Sequence, residues 1–498
     1  MANTDIRRNT LTVGAASLLA RVTGVAREMV FAAAFGAGLQ ADAFNAAFRI
    51  GNLFRELFVE GALSNAFIPL FAKTEQNEGA ESAWQLANAF LGVLIFALGG
   101  ATLAMLLLAE PLVFVVASGF ADDPAKVELT AKLTRILSPF VACLSVASVF
   151  MGMLNVRGRF FLPAACPMLF NVFVIAACAT GRIEAVAVAA LVGGAAQALV
   201  QLPSLRKEGF RLALSFGRHP GLRKLLAFLG PAIIAISVVQ IHILIEMQLA
   251  SQQGDGAVSW LLYSFRIAHL PFSIVSGAVG VAALAGLSVL AAEERWGDFR
   301  DGLADALNLN NFLLLPSAVG IWLMAEPLVQ IMFERGAFTP HDTTMTAMML
   351  RGYAVALLGI GAQRVIVPTF YTLNDPWTPM WAGAATVVVK WPLAVWLMAR
   401  VDLMGLPLSH AVLVSAEVVV LLALLARRVP GLARPLVGFH LRALIPTVVM
   451  GWAVWFTREP LGLGAVAVGI VVYGAVCVPV GLNPLRVLRR RRGPPPPR

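Results

Sequence analysis

Charge is scarce in this chain. Only 13% of its 498 residues are Asp, Glu, Lys or Arg, against about a quarter in an ordinary soluble domain. So little charge cannot clothe a water-soluble fold in which 59% of residues are apolar, and the mean hydropathy is +0.79. Cysteine is sparse as well. Cys143, Cys166, Cys178 and Cys477 lie in apolar context without CxxC or metal-ligand spacing, which excludes a disulfide scaffold or zinc module and leaves buried inert thiols. The six histidines have no ligand spacing either, so no metal site is expected. No Gly-Lys dipeptide occurs, hence no GxxxxGK[ST] phosphate loop and no cofactor of the nucleotide-hydrolysing kind. Chemistry on polyprenyl phosphates would need clustered acids for Mg²⁺ or a nucleophile with its base. The one Asp pair, Asp122-Asp123 before Pro124, reads instead as a solvated loop. An enzyme is therefore not expected.

Long apolar runs fill the space that charge leaves. Phe90–Leu108, Val186–Val200 and Val412–Leu425 are continuous rather than alternating, which is the pattern of helices and not of barrel strands. About 20 apolar residues cross a bilayer. On that length the expected spans are 10–35, 42–72, 84–118, 127–154, 160–180, 183–203, 222–251, 257–290, 303–333, 341–372, 377–399, 405–427, 438–458 and 462–485. The fold class is all-α, a polytopic membrane protein of about fourteen transmembrane helices. Arg7 and Arg8 precede the first run, but Arg21 and Arg27 stand where a cleaved signal would end, so this segment reads as the first span.

The net charge of +10 needs no nucleic-acid partner, because cytoplasmic loops of membrane proteins collect Lys and Arg. With the N-terminus inside, roughly 23 basic residues fall at cytoplasmic ends and about 7, including Lys126, at the opposite ends. That asymmetry implies both termini in the cytoplasm. The tail, four arginines from Arg489 followed by Gly493 and four prolines, reads as an unfolded contact to anionic lipid.

The second and eighth spans echo each other. Phe48-Arg49-Ile50-Gly51-Asn52-Leu53 and Phe265-Arg266-Ile267-Ala268-His269-Leu270 match at four of six positions. Repeated halves are a common transporter plan. The expected organisation is an N-terminal lobe at 1–205, a basic cytoplasmic connector at 206–221, a C-terminal lobe at 222–430, two further helices at 431–485 and a basic Pro-rich tail at 486–498.

Basic residues also stand inside the spans: Arg21, Arg27, Arg49, Arg55, Arg266, Arg351, Arg364 and Lys390, with Glu28, Asp42, Glu56 and Glu60 as acidic companions. A charge at mid-bilayer costs on the order of 3 kcal/mol and must face protein or a wet cavity. Arginine keeps its proton and offers a planar fork that suits phosphate. The positive excess points to an anionic substrate with phosphate-like oxygens. Paired stabilisers at helix ends, or arginines reaching to the interface, are the plainer alternative. Glu246 is a lone acid in an apolar stretch, open both to a coupling cation and to a pairing with His242 one turn back. Pro231 and Pro271 are placed to bend the seventh and eighth spans.

These residues carry a resemblance. Ala20-Arg21-Val22-Thr23-Gly24-Val25-Ala26-Arg27-Glu28, Phe35-Gly36-Ala37-Gly38, Ala41-Asp42-Ala43-Phe44, Asn52-Leu53-Phe54-Arg55 and Glu60-Gly61-Ala62-Leu63-Ser64 look like the N-terminal signature of the MurJ (MviN) lipid II flippases, in the multidrug/oligosaccharidyl-lipid/polysaccharide exporter superfamily. Further likeness runs through Gly119-Phe120-Ala121, Gly230-Pro231-Ala232, Ser259-Trp260, Leu315-Pro316-Ser317-Ala318, Gly336-Ala337-Phe338-Thr339 and Phe370-Tyr371. The resemblance implies two six-helix lobes in pseudo-repeat plus two C-terminal helices that line a groove for a lipid tail. It implies a cationic central cavity in which Arg21, Arg27, Arg55 and Arg266 bind pyrophosphate. Glu28, Asp42, Arg49, Glu60 and Arg364 would support or gate it, and Glu246 and Asp375 are the candidate residues for a coupling Na⁺ or H⁺. The partners implied are lipid II or a similar anionic polyprenyl-linked substrate and membrane lipids, with the protein a monomer in the bacterial inner membrane. The implied transport is from inner to outer leaflet by alternating access. A flippase for another polyprenyl-linked oligosaccharide and a multidrug exporter are the rivals. The chain departs from the family with Glu28 for the usual Asp, Gly51 for a usual Pro, and Phe265 and His269 for acids beside Arg266. A coupling scheme built on those acids is not carried over.

Overall fold

The computed structural model describes residues 2–56, 67–213 and 220–482. Those residues are almost entirely helical, with no strand among them. They form seventeen α-helices: α1 Ala2–Phe35, α2 Leu39–Arg55, α3 Ile68–Glu78, α4 Ala80–Leu107, α5 Ala109–Val116, α6 Pro124–Val156, α7 Phe161–Ala165, α8 Pro167–Cys178, α9 Ile183–Lys207, α10 Pro220–Ser251, α11 Ala257–Ala292, α12 Trp296–Phe333, α13 Pro340–Thr372, α14 Trp377–Val401, α15 Gly405–Arg428, α16 Ala433–Leu461 and α17 Gly464–Cys477. Every expected span contains helix. The third and fifth are each built from two helices in series, α4–α5 and α7–α8, and the second carries α2 and α3 at its two ends. Among the described residues nine spans are long and apolar enough to cross a membrane. Glu60, the 486–498 tail and residues 214–219 of the expected connector lie outside the described residues.

Local sequence explains the helix ends. Pro124 and Pro167 sit in the first turns of α6 and α8, where proline's fixed φ fits and its missing N–H is no loss. Asp123 caps α6, accepting from the N–H groups of Ala125 and Lys126 at 3.0 and 3.3 Å. The expected solvated Asp pair thus includes a helix cap. Helices α6, α9, α11, α12, α13, α14 and α16 run through internal prolines, Pro271 in α11 among them. Large apolar side chains such as Phe96, Val281, Trp381 and Val388 point outward, as lipid-facing helices require.

The chain packs as two compact units, Met1–Ser259 with Phe333–Thr339, and Trp260–Met332 with Pro340–Arg498. The first therefore takes in α10, which the sequence places at the start of the second lobe. The reason is polar. Gln248 donates to the carbonyls of Phe114 and Val115 at 2.8 and 2.7 Å and accepts from Ser118 N–H at 2.7 Å. Gly119 N–H donates to Ser251 Oγ at 3.1 Å. The short segment Phe333–Thr339 joins this unit through Ala337 N–H, which donates to Ala33 O at 2.8 Å. Gly36 and Gly336 make the approach, each with φ above +60° and each placed so that an added Cβ would strike Ala337 O or Ala33 O.

In the second unit a buried cluster around Phe299, Leu303, Leu307, Ile366, Phe370, Leu421 and Leu425 joins α11, α12, α13 and α15. The last two helices pack on α12 through Phe312, Met324, Met450 and Tyr473. Tyr473 adds a hydrogen bond from its hydroxyl to Phe312 O at 2.9 Å.

Candidate functional site

The first unit holds a cavity of about 340 Å³ whose wall includes both Arg27 and Arg55. Arg27, on α1, pairs with the neighbouring Glu28, which is buried. Its guanidinium also lies over the Phe170 ring, 4.9 Å from the centroid, a contact worth about 0.5–2 kcal/mol. Arg55 closes α2. Its Nε donates to Asn52 Oδ1 at 3.0 Å, and Nη2 lies 3.6 Å from Glu56 Oε1. Arg49 is buried one and a half turns back. It reaches the same Glu56 at 3.5 Å and donates to Gln240 Oε1 on α10. Arg27, Arg49 and Arg55 thus meet Glu28, Glu56 and, through Arg49, Glu246. The cavity wall itself carries Arg27 and Arg55 and, among the described residues, no carboxylate, and its apolar surroundings strengthen any charge interaction.

The rest of the wall is aromatic and amide. Phe48, Phe140 and Phe170 form a triangle with centroids 5.5, 6.1 and 5.5 Å apart. Asn52, Asn171, Gln197 and Gln201 supply amides. Asn171 donates to Ala20 O and Thr23 Oγ1 at 3.2 and 3.1 Å, which ties α8 to the arginine-bearing helix α1.

Asp42 sits apart from this cavity and is fully buried. It accepts from Lys126 Nζ at 2.9 Å, Gly256 N–H at 2.8 Å, and the N–H and hydroxyl of Ser259 at 2.9 and 2.7 Å. Lys126 also donates to the exposed Asp255 at 2.8 Å and covers the Phe120 ring at 4.2 Å. Lys126, which the sequence reads as a loop charge, is 3% exposed, because it belongs to α6, which packs against α2 and brings its side chain to Asp42.

The other expected residues are dispersed. Arg21 is exposed on α1 and is not on the cavity wall. Glu246 is buried on α10, close enough to Arg49 for their charges to interact. In the second unit Arg266 is half-buried on α11, and Arg364 is exposed with its guanidinium 5.4 Å from the Phe272 centroid. Arg351 is 3.9 Å from Glu326, and Lys390 is fully buried. Asp375 lies in the turn before α14. It accepts from the Thr378 hydroxyl and N–H at 2.6 and 3.1 Å and from Arg428 at 2.6 Å. The Thr378 hydroxyl first, then its N–H and Arg428, hold this carboxyl below its ordinary range. No cluster of three or more His, Cys, Asp or Glu with metal-holding geometry occurs among the described residues.

Sequence reasoning did not single out Asn171, Gln197, Gln201 or the phenylalanine triangle. Their signal in the sequence is a neutral amide within an otherwise apolar span, which costs less to bury than a full charge and so stands out less.

A family model described as "Lipid II flippase MurJ" matches residues 31–472. Lipid II flippase MurJ of Burkholderia cenocepacia is 36% identical over 396 residues, covering 77% of each chain. Probable lipid II flippase MurJ of Rhizobium meliloti is 34% identical over 516 aligned positions, covering 96% of this chain and 95% of the relative. Among solved structures, "Lipid II flippase MurJ, inward closed conformation" superposes with a TM-score of 0.79 at 22% identity, covering 94% of this chain and 98% of its own. An inward-facing multidrug resistance MATE family transporter of the MOP superfamily reaches 0.71 at 15% identity, covering 85% and 99%. At these identities the structural likeness speaks for the fold.

Proposed function

This chain belongs to the MurJ family of lipid II flippases, and from that premise we propose that its Arg27–Arg55 cavity receives the diphosphate of lipid II. It is a multi-pass inner-membrane transporter, and it moves the polyprenyl-linked peptidoglycan precursor from the inner to the outer leaflet. The observation that carries the assignment of the cavity is that Arg27 and Arg55, from different helices, reach one wall that no carboxylate lines among the described residues. A diphosphate supplies acceptor oxygens for both forks. Arg21 and Arg266 are proposed as further contacts along the substrate's path, with Glu28 and Arg49 fixing the two cavity arginines and Arg364 in a supporting role. Transport is by alternating access with both termini cytoplasmic, the protein acting as a monomer.

The membrane potential favours this direction. One charge crossing 100 mV is worth about 2.3 kcal/mol, so a substrate of roughly two negative charges gains about twice that on leaving a negative interior. A Na⁺ or H⁺ coupled through Glu246 or Asp375 would add to it. A multidrug exporter shares the fold, but a wall with two guanidiniums and, among the described residues, no carboxylate suits an anion better than a cationic drug.

The test is complementation. The resident flippase of a test bacterium is depleted, this chain is expressed, and lipid II reaching the outer leaflet is measured by its cleavage with an externally added protein. Restoration by the unmutated chain and loss in membrane-inserted Arg27→Ala and Arg55→Ala support the reading. A well-inserted chain that restores nothing overturns the substrate assignment.

A further inference from the structure

Glu56 follows Arg55 at the end of α2 and is not on the cavity wall. It faces two arginines at once. Its Oε1 lies 3.6 Å from Arg55 Nη2, and both of its oxygens lie 3.5 Å from Arg49 Nη1. At these distances the carboxylate is an ion-pair partner of both and makes a short hydrogen bond to neither. The two arginines differ in what else they meet. Arg55 lines the cavity, with its Nε held by Asn52 Oδ1 at 3.0 Å. Arg49 is buried, is absent from the cavity wall, and is anchored on Gln240 of α10. One carboxylate therefore stands between a guanidinium on the cavity wall and a guanidinium off it.

A diphosphate arriving at Arg55 brings negative charge toward Glu56. Like charges repel more strongly in apolar surroundings than in water, and a carboxylate held there without a cation is strongly disfavoured. Arg49 meets that need, because it already lies within reach of both carboxylate oxygens. We propose that Glu56 is a positioning residue that stands in for the substrate's phosphate on Arg55 while no substrate is bound, and that passes to Arg49 when the diphosphate takes its place. The exchange lowers the affinity of Arg55 for the diphosphate. That loss serves transport: a carried ion must bind well enough to enter and weakly enough to leave. Glu56 returning to Arg55 favours release. The inference rests on the cavity being the site of the diphosphate.

The test measures lipid II binding to the purified full-length chain in nanodiscs of neutral phospholipid, beside export in the complementation assay. Glu56→Gln keeps the shape and removes the charge. It should tighten lipid II binding about tenfold, the scale of one charged contact, while export falls because release slows. Arg49→Met leaves Glu56 no second cation, so the carboxylate stays on Arg55 and binding weakens by a similar factor. The double variant binds as tightly as Glu56→Gln alone, and in an Arg55→Ala background Glu56→Gln loses its effect. A residue that only holds the fold together would weaken binding when changed and would not be rescued in the double variant. Weaker or unchanged binding in Glu56→Gln, a double variant as weak as Arg49→Met, or an effect that persists without Arg55 overturns the inference while the diphosphate reading stands. Tighter binding with undiminished export overturns the role in release. Glu56→Ala removes the same charge and must give the same sign, so it decides should Glu56→Gln fail to insert. If Arg55→Ala leaves lipid II binding unchanged, the diphosphate reading itself falls, and the inference with it.

Discussion

The Asp42–Lys126 pair offers a sharp test of how the first unit is held together. Asp42 is wholly inaccessible and Lys126 nearly so, while Asp255, the other partner of Lys126, is largely exposed. Lys126→Met keeps the bulk of the stem and removes the only cation within salt-bridge distance of Asp42 among the described residues. Breaking a buried pair by deleting one partner costs about 3–5 kcal/mol, because the survivor is left buried and uncompensated. Three donors remain on Asp42, from Gly256 and Ser259, so a loss near 3 kcal/mol is expected rather than near 5. Asp42→Asn leaves Lys126 its bond to Asp255 and removes the burial penalty of the carboxylate, so its cost is smaller. Combining the two takes away both charges, and the double variant should be less destabilised than the sum of the singles by at least ~1.5 kcal/mol. The assay is reversible unfolding in detergent across the four proteins of the cycle. Additive losses, or a Lys126→Met cost below ~1 kcal/mol, would refute the pairing as a buried, coupled interaction.

Three further outcomes are expected. Arg55→Lys keeps the charge but loses the fork that spans two phosphate oxygens, so outer-leaflet lipid II in the complementation assay should fall by about tenfold or more; full activity would show that charge alone suffices. Gly336→Ala meets both a positive φ and the Ala33 carbonyl, which predicts a loss of about 1–3 kcal/mol in thermal or denaturant unfolding, whereas at the open Gly438 the same change should be nearly silent. Asp375 has its carboxyl held below the usual range, first by Thr378 and then by Arg428, so the stability it contributes is present above the unfolded carboxylate pKa of about 3.9 and is lost as pH falls through the lowered folded value. The melting-temperature gap between the unmutated chain and Asp375→Asn should accordingly close toward acid, and a gap independent of pH would contradict the assignment.

Membrane insertion, helical class and approximate spans were all legible in the sequence, because each follows from local composition: a run of apolar residues longer than a bilayer is thick must satisfy its own backbone, and only a helix does so within one segment. The arginines of α1 and α2 were legible for the same reason, since a charge inside such a run is costly wherever the chain goes. What they do there was not. That Arg27 and Arg55 share a wall depends on α1, α2, α6, α8 and α9 meeting around one cavity, a set of long-range contacts that no local pattern encodes. Lys126 reads from its neighbours as a loop charge and became a buried counter-ion only because α6 docks against α2. Glu56 reads as an acidic companion of Arg55, and that Arg49 is held beside them by Gln240 of α10 is decided by packing. The chain's own chemistry therefore determined that it spans a membrane and holds positive charge inside it, while tertiary packing decided which of those groups are neutralised and which are left facing a ligand.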